Sequence, residues 1–423
     1  MSDLKSTLIE WRRDFHKHPE VGFLEMRTAS LVAKRLTDLG YEVKLGREVM
    51  NPDYCMGKPD DEETAEHYEW AKENGALEEF LPYLKDGYTG VVGILDTKAP
   101  GPTVAYRVDM DALPIYESTE ESHVPKQKDF RSVNNYMHAC GHDAHTTIGL
   151  GLATLLSENK DQLRGKIKLI FQPAEEGVRG ARSMVEAGVV DDVDYFMALH
   201  IGTGVPFNEF LASNNGYLAT SKLDVTFKGL ASHAGGHPEE GKNAMLAAAS
   251  AVLNLHAIPR HSGGSTRVNV GELHAGSGRN VIADSASLKV EIRGENSELN
   301  AYMKNYAEEV IKGAALMHQV DYDIKLVGEA VNAVGSVKLA EKMFQEAEKV
   351  GLKCQLEENK PSGSEDATYF INAVQKQGGY ATYCVFGTNL AAGHHNEKFD
   401  IDEESILPAV QTLFETTKSL TAE

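Results

Sequence analysis

Between about residues 217 and 330 the hydrophobic pattern changes rhythm. SKLDVTFKG (Ser221–Gly229), a helical run (Asn243–Leu255), TRVNVGELHAG, ASLKVEIRG and a second helical run (Glu298–His318) read β-α-β-β-α-β. That is the order of a small split βαβ, ferredoxin-like sandwich. It restricts the fold more than any other feature, because such a unit has its own core and must be looped out of whatever surrounds it. On either side the rhythm is strand then helix, the mark of an α/β layer with a largely parallel sheet. The chain of 423 residues also exceeds one ordinary core. Residues 1–216 and 331–423 are therefore expected to form one α/β domain, with a smaller α+β domain inserted at about 217–330.

Within the first stretch, residues 4–40 carry apolar side chains at helical spacing, interrupted near HPEVGF. Tyr41–Leu45, Thr89–Leu95, Pro102–Val108, Lys166–Phe171 and Asp194–Leu199 read as strands, with Thr89–Leu95 and Pro102–Val108 expected as neighbours. The charged stretch 47–88 reads as an insertion carrying one or two surface helices.

Composition excludes some functions. A formal net charge of -21 opposes a phosphate backbone, so a nucleic-acid partner is not expected. No run approaches the ~18 apolar residues of a membrane span, and the polar N-terminus lacks an apolar signal core. The four cysteines (Cys55, Cys140, Cys354, Cys384) form no CxxC pair. A reduced cytoplasmic protein is the expectation.

Ligands of open α/β sheets gather beyond the carboxyl ends of strands, so the residues at those ends matter. Pro102–Val108 runs into Asp109 and Asp111, Lys166–Phe171 into Glu175 and Glu176, and Asp194–Leu199 into His200. Ala381–Phe386 leads to His394 and His395, and the loop MHACGHDAH holds His138, Cys140, His142 and His145. Taken singly, each has an ordinary explanation: a solvated acidic pair, or a packed histidine or cysteine. Together they bring thiolate, imidazole and carboxylate to one rim, a donor set suited to Zn²⁺, Mn²⁺ or similar ions. A two-metal site needs five or six such ligands, one of them bridging, and paired carboxylates allow one to bind metal while the other serves as general base.

The segments WRRDFHKHPEVGFLEMRTA, RVDMDALP, MHACGHDAHT, LIFQPAEEG, ALHIG, SHAGGHPEEGKNA, GSGRNVI and GHHNEKFDIDE together resemble the aminoacylase, hippurate hydrolase and glutamate carboxypeptidase superfamily, in its Cys-containing branch. The resemblance covers almost the whole chain in order. It implies a zinc-exopeptidase-like catalytic domain, a lid and dimerisation domain, and two divalent ions, Mn²⁺ or Zn²⁺. Carried over motif by motif, it makes Cys140, His142, Glu176, His200 and His395 metal ligands, with His394 the rival of His395. Glu175 becomes the general base, and Asp111 the aspartate that orients a ligand or the water. His233 becomes the histidine that reaches across a dimer to the developing oxyanion. Asn280 and Arg293 take the positions that grip the substrate's carboxylate; their ordinary reading is a turn asparagine and a strand arginine in a surface pair. Many relatives have His where this chain has Asp109 and Asp where it has Cys140, which leaves the bridging ligand open.

The 47–88 insertion and phrases such as VFGTNLAAGHHNEKFD resemble most the members that hydrolyse p-aminobenzoyl-glutamate to p-aminobenzoate and glutamate. The implied partners are a small acidic amide substrate and a second copy of the chain in a homodimer, a related B-type subunit in a heteromer, or both. The alternatives are an amidohydrolase of other N-acyl amino acids and a non-catalytic partner subunit.

Overall fold

The computed structural model describes residues 2–360 and 363–422. They form two compact units. One takes in the chain up to Gly216, Ala333–Lys360 and the chain from Asp366 on; the other takes in Tyr217–Asn332 and residues 363–365. Each has its own apolar core.

The principal elements, in chain order, are α1 (Ser2–Lys17), α2 (Met26–Asp38), β1 (Glu42–Leu45), α3 (Asp61–Glu73), β2 (Val91–Asp96), β3 (Thr103–Asp109), α4 (His142–Glu158), β4 (Lys166–Gln172), β5 (Tyr195–Ile201), β6 (Glu209–Asn214), β7 (Ala219–Lys228), α5 (Ala244–His256), β8 (Thr266–Ala275), β9 (Ser285–Gly294), α6 (Ser297–Met317), β10 (Asp321–Ala330), α7 (Val337–Val350), β11 (Lys353–Glu358), α8 (Thr368–Lys376), β12 (Tyr380–Phe386) and α9 (Ile406–Thr421).

The first unit is built on an eight-stranded sheet in the order β1-β2-β4-β3-β5-β12-β6-β11. Its centre is parallel: β3 pairs with β4 and β5, and β5 with β12. The flanks are mixed, since β2 runs antiparallel to both β1 and β4, and β12 antiparallel to β6. One expectation is corrected here. The strands expected at Thr89–Leu95 and Pro102–Val108, observed as β2 and β3, are not neighbours, because β4 lies between them. After α4, the crossover returns β4 parallel to β3. There β4, buried after its first residue, gains partners on both edges.

Helix α4 is apolar nearly all round and buried along most of its length. It packs against α1, α9 and β3, which fits a helix without a solvent face. In the charged stretch 47–88, Asp60 caps α3 through the Glu63 N–H, and three acidic residues occupy the first turn, favourable positions at a helix N-terminus. The buried His67 of α3 docks through Nε2 on Glu20 at 2.9 Å.

The second unit is a four-stranded antiparallel sheet, β10-β7-β9-β8, with α5 and α6 packed on it. Chain order gives the β-α-β-β-α-β pattern. No helix among the described residues is long and apolar enough to cross a membrane.

Candidate metal centre

Because β3, β4, β5 and β12 run parallel, or are bridged by strands that do, their carboxyl ends share one rim. β3 ends at Asp109, β4 feeds the Glu175–Glu176 turn, His200 is the penultimate residue of β5, and the chain beyond β12 returns to His394 and His395. The fifth contribution comes from the N-terminus of α4. There Gly141, with φ +89°, turns the chain between Cys140 and His142. A Cβ on Gly141 would sit 2.9 Å from Ile201 Cγ2, so the left-handed backbone and the close packing both require glycine.

The hydrogen bonds fix which ring nitrogens remain open. His142 directs Nδ1 at Asp111 Oδ1, 3.3 Å away. Its Nε2 is buried without a hydrogen-bond partner and lies 4.0 Å from Glu175 Oε2. His200 donates from Nδ1 to its neighbour's carbonyl, Ile201 O, at 2.7 Å and presents Nε2 to Cys140 Sγ at 3.5 Å. With Nδ1 of each ring committed as a donor, Nε2 is the nitrogen left to ligate, the arrangement in which a histidine ligand is oriented by a neighbouring acceptor.

His145, one turn along α4, differs. Nδ1 is 2.6 Å from Asp109 Oδ1 and Nε2 accepts the Ile201 N–H at 2.9 Å. Its lone pair is committed, although it lies within 4.8 Å of the His142 and His200 donors.

The Cys140 sulfur groups with His200 and His394, and also with His142 and Glu176. Glu176 Oε1 is buried without a hydrogen-bond partner and lies 3.4 Å from His395 Nε2. His395 adopts a left-handed φ of +63°. The neighbouring Cys140 and Glu176 push its pKa up to about 10, whereas burial pushes His394 down to about 4. His395 Nε2 is thus turned to Glu176, while His394, which groups with Cys140 and His200, brings Nε2 to Ile201 O at 3.4 Å. Burial opposes charge on His142, but Asp109, Asp111 and Cys140 override it and hold the ring well above the usual histidine range. The surroundings of His142 therefore favour positive charge, whether it arrives as a proton or as a cation.

Asp111 organises the turn that carries both glutamates. Oδ1 accepts the Glu175 N–H at 3.0 Å and Oδ2 the Glu176 N–H at 2.9 Å. Several buried groups behind the rim carried no signal in the sequence. Arg107 donates to Asp109 Oδ2 at 2.6 Å and to Gln172. Asp366 accepts the Gly180 and Ala181 N–H groups. Glu25 is pushed up to about 8 by burial and by the nearby Asp111 carboxylate.

Three expected residues lie in the second unit. His233 is exposed, and its Nδ1 accepts the Gly235 and Gly236 N–H groups at 3.2 and 2.9 Å. The neutral ring therefore carries its proton on Nε2, as an outward donor. Asn280 runs beside the His233 segment: its carbonyl accepts the Ala234 N–H at 3.0 Å, next to a bridge between His233 and Val281. Arg293, on β9, makes a two-pronged pair with Glu291 at 3.1 Å, the surface pairing that a strand arginine ordinarily makes.

The donors fit divalent metal. Two buried polar atoms, His142 Nε2 and Glu176 Oε1, have no hydrogen-bond partner and border a thiol and further imidazoles. Buried polar groups are nearly always satisfied, and a soft and borderline donor set of this kind suits Zn²⁺ or Mn²⁺.

A fold with a metal-type rim on a mixed α/β sheet and a separate α+β unit defines a metallohydrolase class. Family comparison agrees: the model for Peptidase family M20/M25/M40 matches residues 105–419, and the chain belongs to that family of metal-dependent amidohydrolases. Among its relatives, indole-3-acetyl-aspartic acid hydrolase of Enterobacter agglomerans is 51% identical over 409 residues, 96% of this chain and 94% of that protein. One of the subunits of p-aminobenzoyl-glutamate hydrolase from Escherichia coli is 51% identical over 419 residues, 98% of this chain and 96% of that protein. The crystal structure of an aminobenzoyl-glutamate utilization protein from Klebsiella pneumoniae matches with a TM-score of 0.86 at 46% identity, covering 99% of this chain and 96% of that one.

Proposed function

We propose that this chain hydrolyses the amide joining an aromatic acyl group to an acidic amino acid, with p-aminobenzoyl-glutamate as the substrate. The observation that carries the proposal is the gathering of the Cys140, His142, Glu176 and His200 donors beside Glu175, with His395 Nε2 3.4 Å from Glu176 and with His142 Nε2 and Glu176 Oε1 buried without a hydrogen-bond partner. Support for the substrate class comes from two relatives of equal identity. One is named for an indole-acetyl aspartate and the other for an aminobenzoyl glutamate, and both names describe an aromatic acyl group on an acidic amino acid.

Cys140, His142, Glu176, His200 and His395 would hold two divalent ions, Zn²⁺ or Mn²⁺. Such ions, when bound, supply Lewis acidity toward the amide carbonyl and lower the pKa of water. Glu175 lies at the edge of the donor set, where its carboxylate takes the proton of the attacking water and delivers it to the leaving nitrogen. Asp111 holds the Glu175 and Glu176 amides and the His142 ring in register. His233 presents Nε2–H as the oxyanion donor, acting across a homodimer. Asn280 and Arg293 bind the α-carboxylate through charge-assisted hydrogen bonds. A cytoplasmic location and association with a B-type subunit belong to the same proposal.

The test is direct. The purified chain, loaded with Mn²⁺ or Zn²⁺, is assayed on its own against p-aminobenzoyl-glutamate, indole-acetyl aspartate and neutral N-acyl amino acids, with metal content measured in parallel. Cleavage of the acidic substrates with close to two metal ions per chain supports the proposal. A metal-loaded chain that cleaves only when a second polypeptide is added favours the alternative of a non-catalytic partner. Preference for neutral N-acyl amino acids favours the aminoacylase alternative.

A further inference from the structure

Three consecutive amides span the candidate base, and all three are held by carboxylates. The Ala174 N–H donates to Glu25 Oε1 at 2.8 Å, while the Glu175 and Glu176 N–H groups go to the two oxygens of Asp111. Glu25 stands just before α2, 149 residues away in sequence, and is fully buried. Its second oxygen accepts Thr89 Oγ1 at 2.5 Å, so the carboxyl is anchored at both ends.

Ala174, like Val178 further along, is a strained member of the turn. Its φ is +53°, a left-handed conformation that costs energy for any residue with a Cβ. Its carbonyl is also committed, accepting the Arg179 and Gly180 N–H groups at 3.1 and 3.0 Å. Gly22 packs so closely on Ala174 that a Cβ there would come within 2.8 Å of Ala174 Cβ. The turn that aims Glu175 thus depends on the grip on the Ala174 amide as well as on Asp111, which holds the next two amides.

We propose that Glu25 is a positioning residue for Glu175. By holding the Ala174 N–H it keeps the turn left-handed and so fixes the direction in which the Glu175 carboxylate points. The proposal rests on the reading of Glu175 as general base. Without the Glu25 acceptor, Ala174 would have a buried unpaired N–H as well as an unfavourable φ, and both defects are relieved if the peptide swings away. Glu175 would swing with it, and a displacement of ~1 Å at a catalytic group typically costs ~10²-fold in rate.

The experiment uses the full-length, metal-loaded chain with Glu25→Leu, Glu25→Gln and the double change Glu25→Leu/Ala174→Gly. kcat, KM and metal content are measured for the substrate the parent cleaves. Glu25→Leu should lower kcat about 10- to 100-fold per metal-loaded site while KM and metal content stay within about twofold. Glu25→Gln keeps an acceptor for the Ala174 N–H and should recover most of that loss. Ala174→Gly, which removes the steric cost of the left-handed turn, should restore kcat about tenfold in the Glu25→Leu background.

A purely structural role predicts less folded protein but an unchanged kcat per loaded site. A Glu25→Leu kcat within threefold of the parent, or a loss that neither second change repairs, overturns the proposal. Should Glu25→Leu fail to fold, Thr89→Val, which frees the other carboxyl oxygen, takes its place. It should lower kcat severalfold at constant KM, and an unchanged kcat overturns the proposal. Glu175→Gln in the same assay separates the two claims. If it remains active, the base assignment fails; if it is inactive while Glu25→Leu is intact, only the positioning role fails.

Discussion

His16 sets a pH limit on the stability of the first unit. The ring is fully buried, with Nδ1 2.8 Å from Asp143 Oδ2 and Nε2 3.0 Å from Glu117 Oε1. With a carboxylate at each nitrogen, both nitrogens act as donors and the ring is an imidazolium. Burial and the Arg12 guanidinium oppose that charge, but Asp143 and Glu117 outweigh them and push the pKa up to about 9. In the unfolded chain a histidine titrates near 6.5. Since the folded value is the higher, the stabilisation is complete below about pH 6.5 and is lost as pH rises through about 9. A gap of about 2.5 pH units at ~1.36 kcal/mol each makes this contribution roughly 3 kcal/mol.

Both tryptophans, Trp11 and Trp70, lie in the first unit, so tryptophan fluorescence in urea reports on it. The parent should lose urea resistance between pH 7 and 10. His16→Gln should be less stable at pH 7, and its loss over the same range should be smaller by most of that ~3 kcal/mol. Equal slopes for parent and variant would refute the assignment of His16 as a buried cation.

Glu175→Gln should lower turnover by about 10²–10⁴-fold while metal stays bound, whereas Glu176→Gln should weaken metal binding; exchanged phenotypes in elemental analysis and kinetics would reverse the two roles. Mixing inactive His233→Ala chains with inactive Glu175→Gln chains should restore part of the activity, because a mixed dimer contains one intact composite site; confirmed exchange of protomers without activity would refute action across a dimer. Arg293→Ala should lower kcat/KM for the acidic substrate about 10- to 150-fold, the equivalent of a charge-assisted bond of roughly 1.5–3 kcal/mol, and should matter much less for the α-amide analogue; equal losses on both substrates would leave Arg293 as the partner of Glu291 alone.

The parts of this molecule legible in its sequence are those whose meaning is local. The β-α-β-β-α-β block could be read because strand and helix periods are written in neighbouring residues, and it corresponds to β7-α5-β8-β9-α6-β10. The rim could be read because parallel strands bring their carboxyl ends together whatever their order in the sheet. That order was not legible. The expectation that β2 and β3 are neighbours failed because the partner that separates them, β4, arrives only after the long segment 110–165 that carries α4.

The same limit governs the site. Residue type is enough to gather Cys140, His142, Glu176, His200 and His395 as candidates, but not to say which nitrogen of which ring is free. His142 and His145 stand one turn apart on one helix and both have a nitrogen within 4 Å of Asp109. What separates them as ligands is the second nitrogen: that of His145 accepts the Ile201 N–H, and that of His142 has no hydrogen-bond partner. Glu25, Arg12 and Asp366 were illegible for a related reason. Each acts through a contact made 100 residues or more along the chain, Glu25 with Ala174, Arg12 with Asp143 and Asp400, and Asp366 with Arg107 and Gly180. A buried carboxylate of this kind resembles any other acidic residue until the fold supplies the amide or guanidinium that it holds. The chemistry that acts on substrate can thus be proposed from residue types at strand ends, whereas the groups that aim it emerge only from the packed structure.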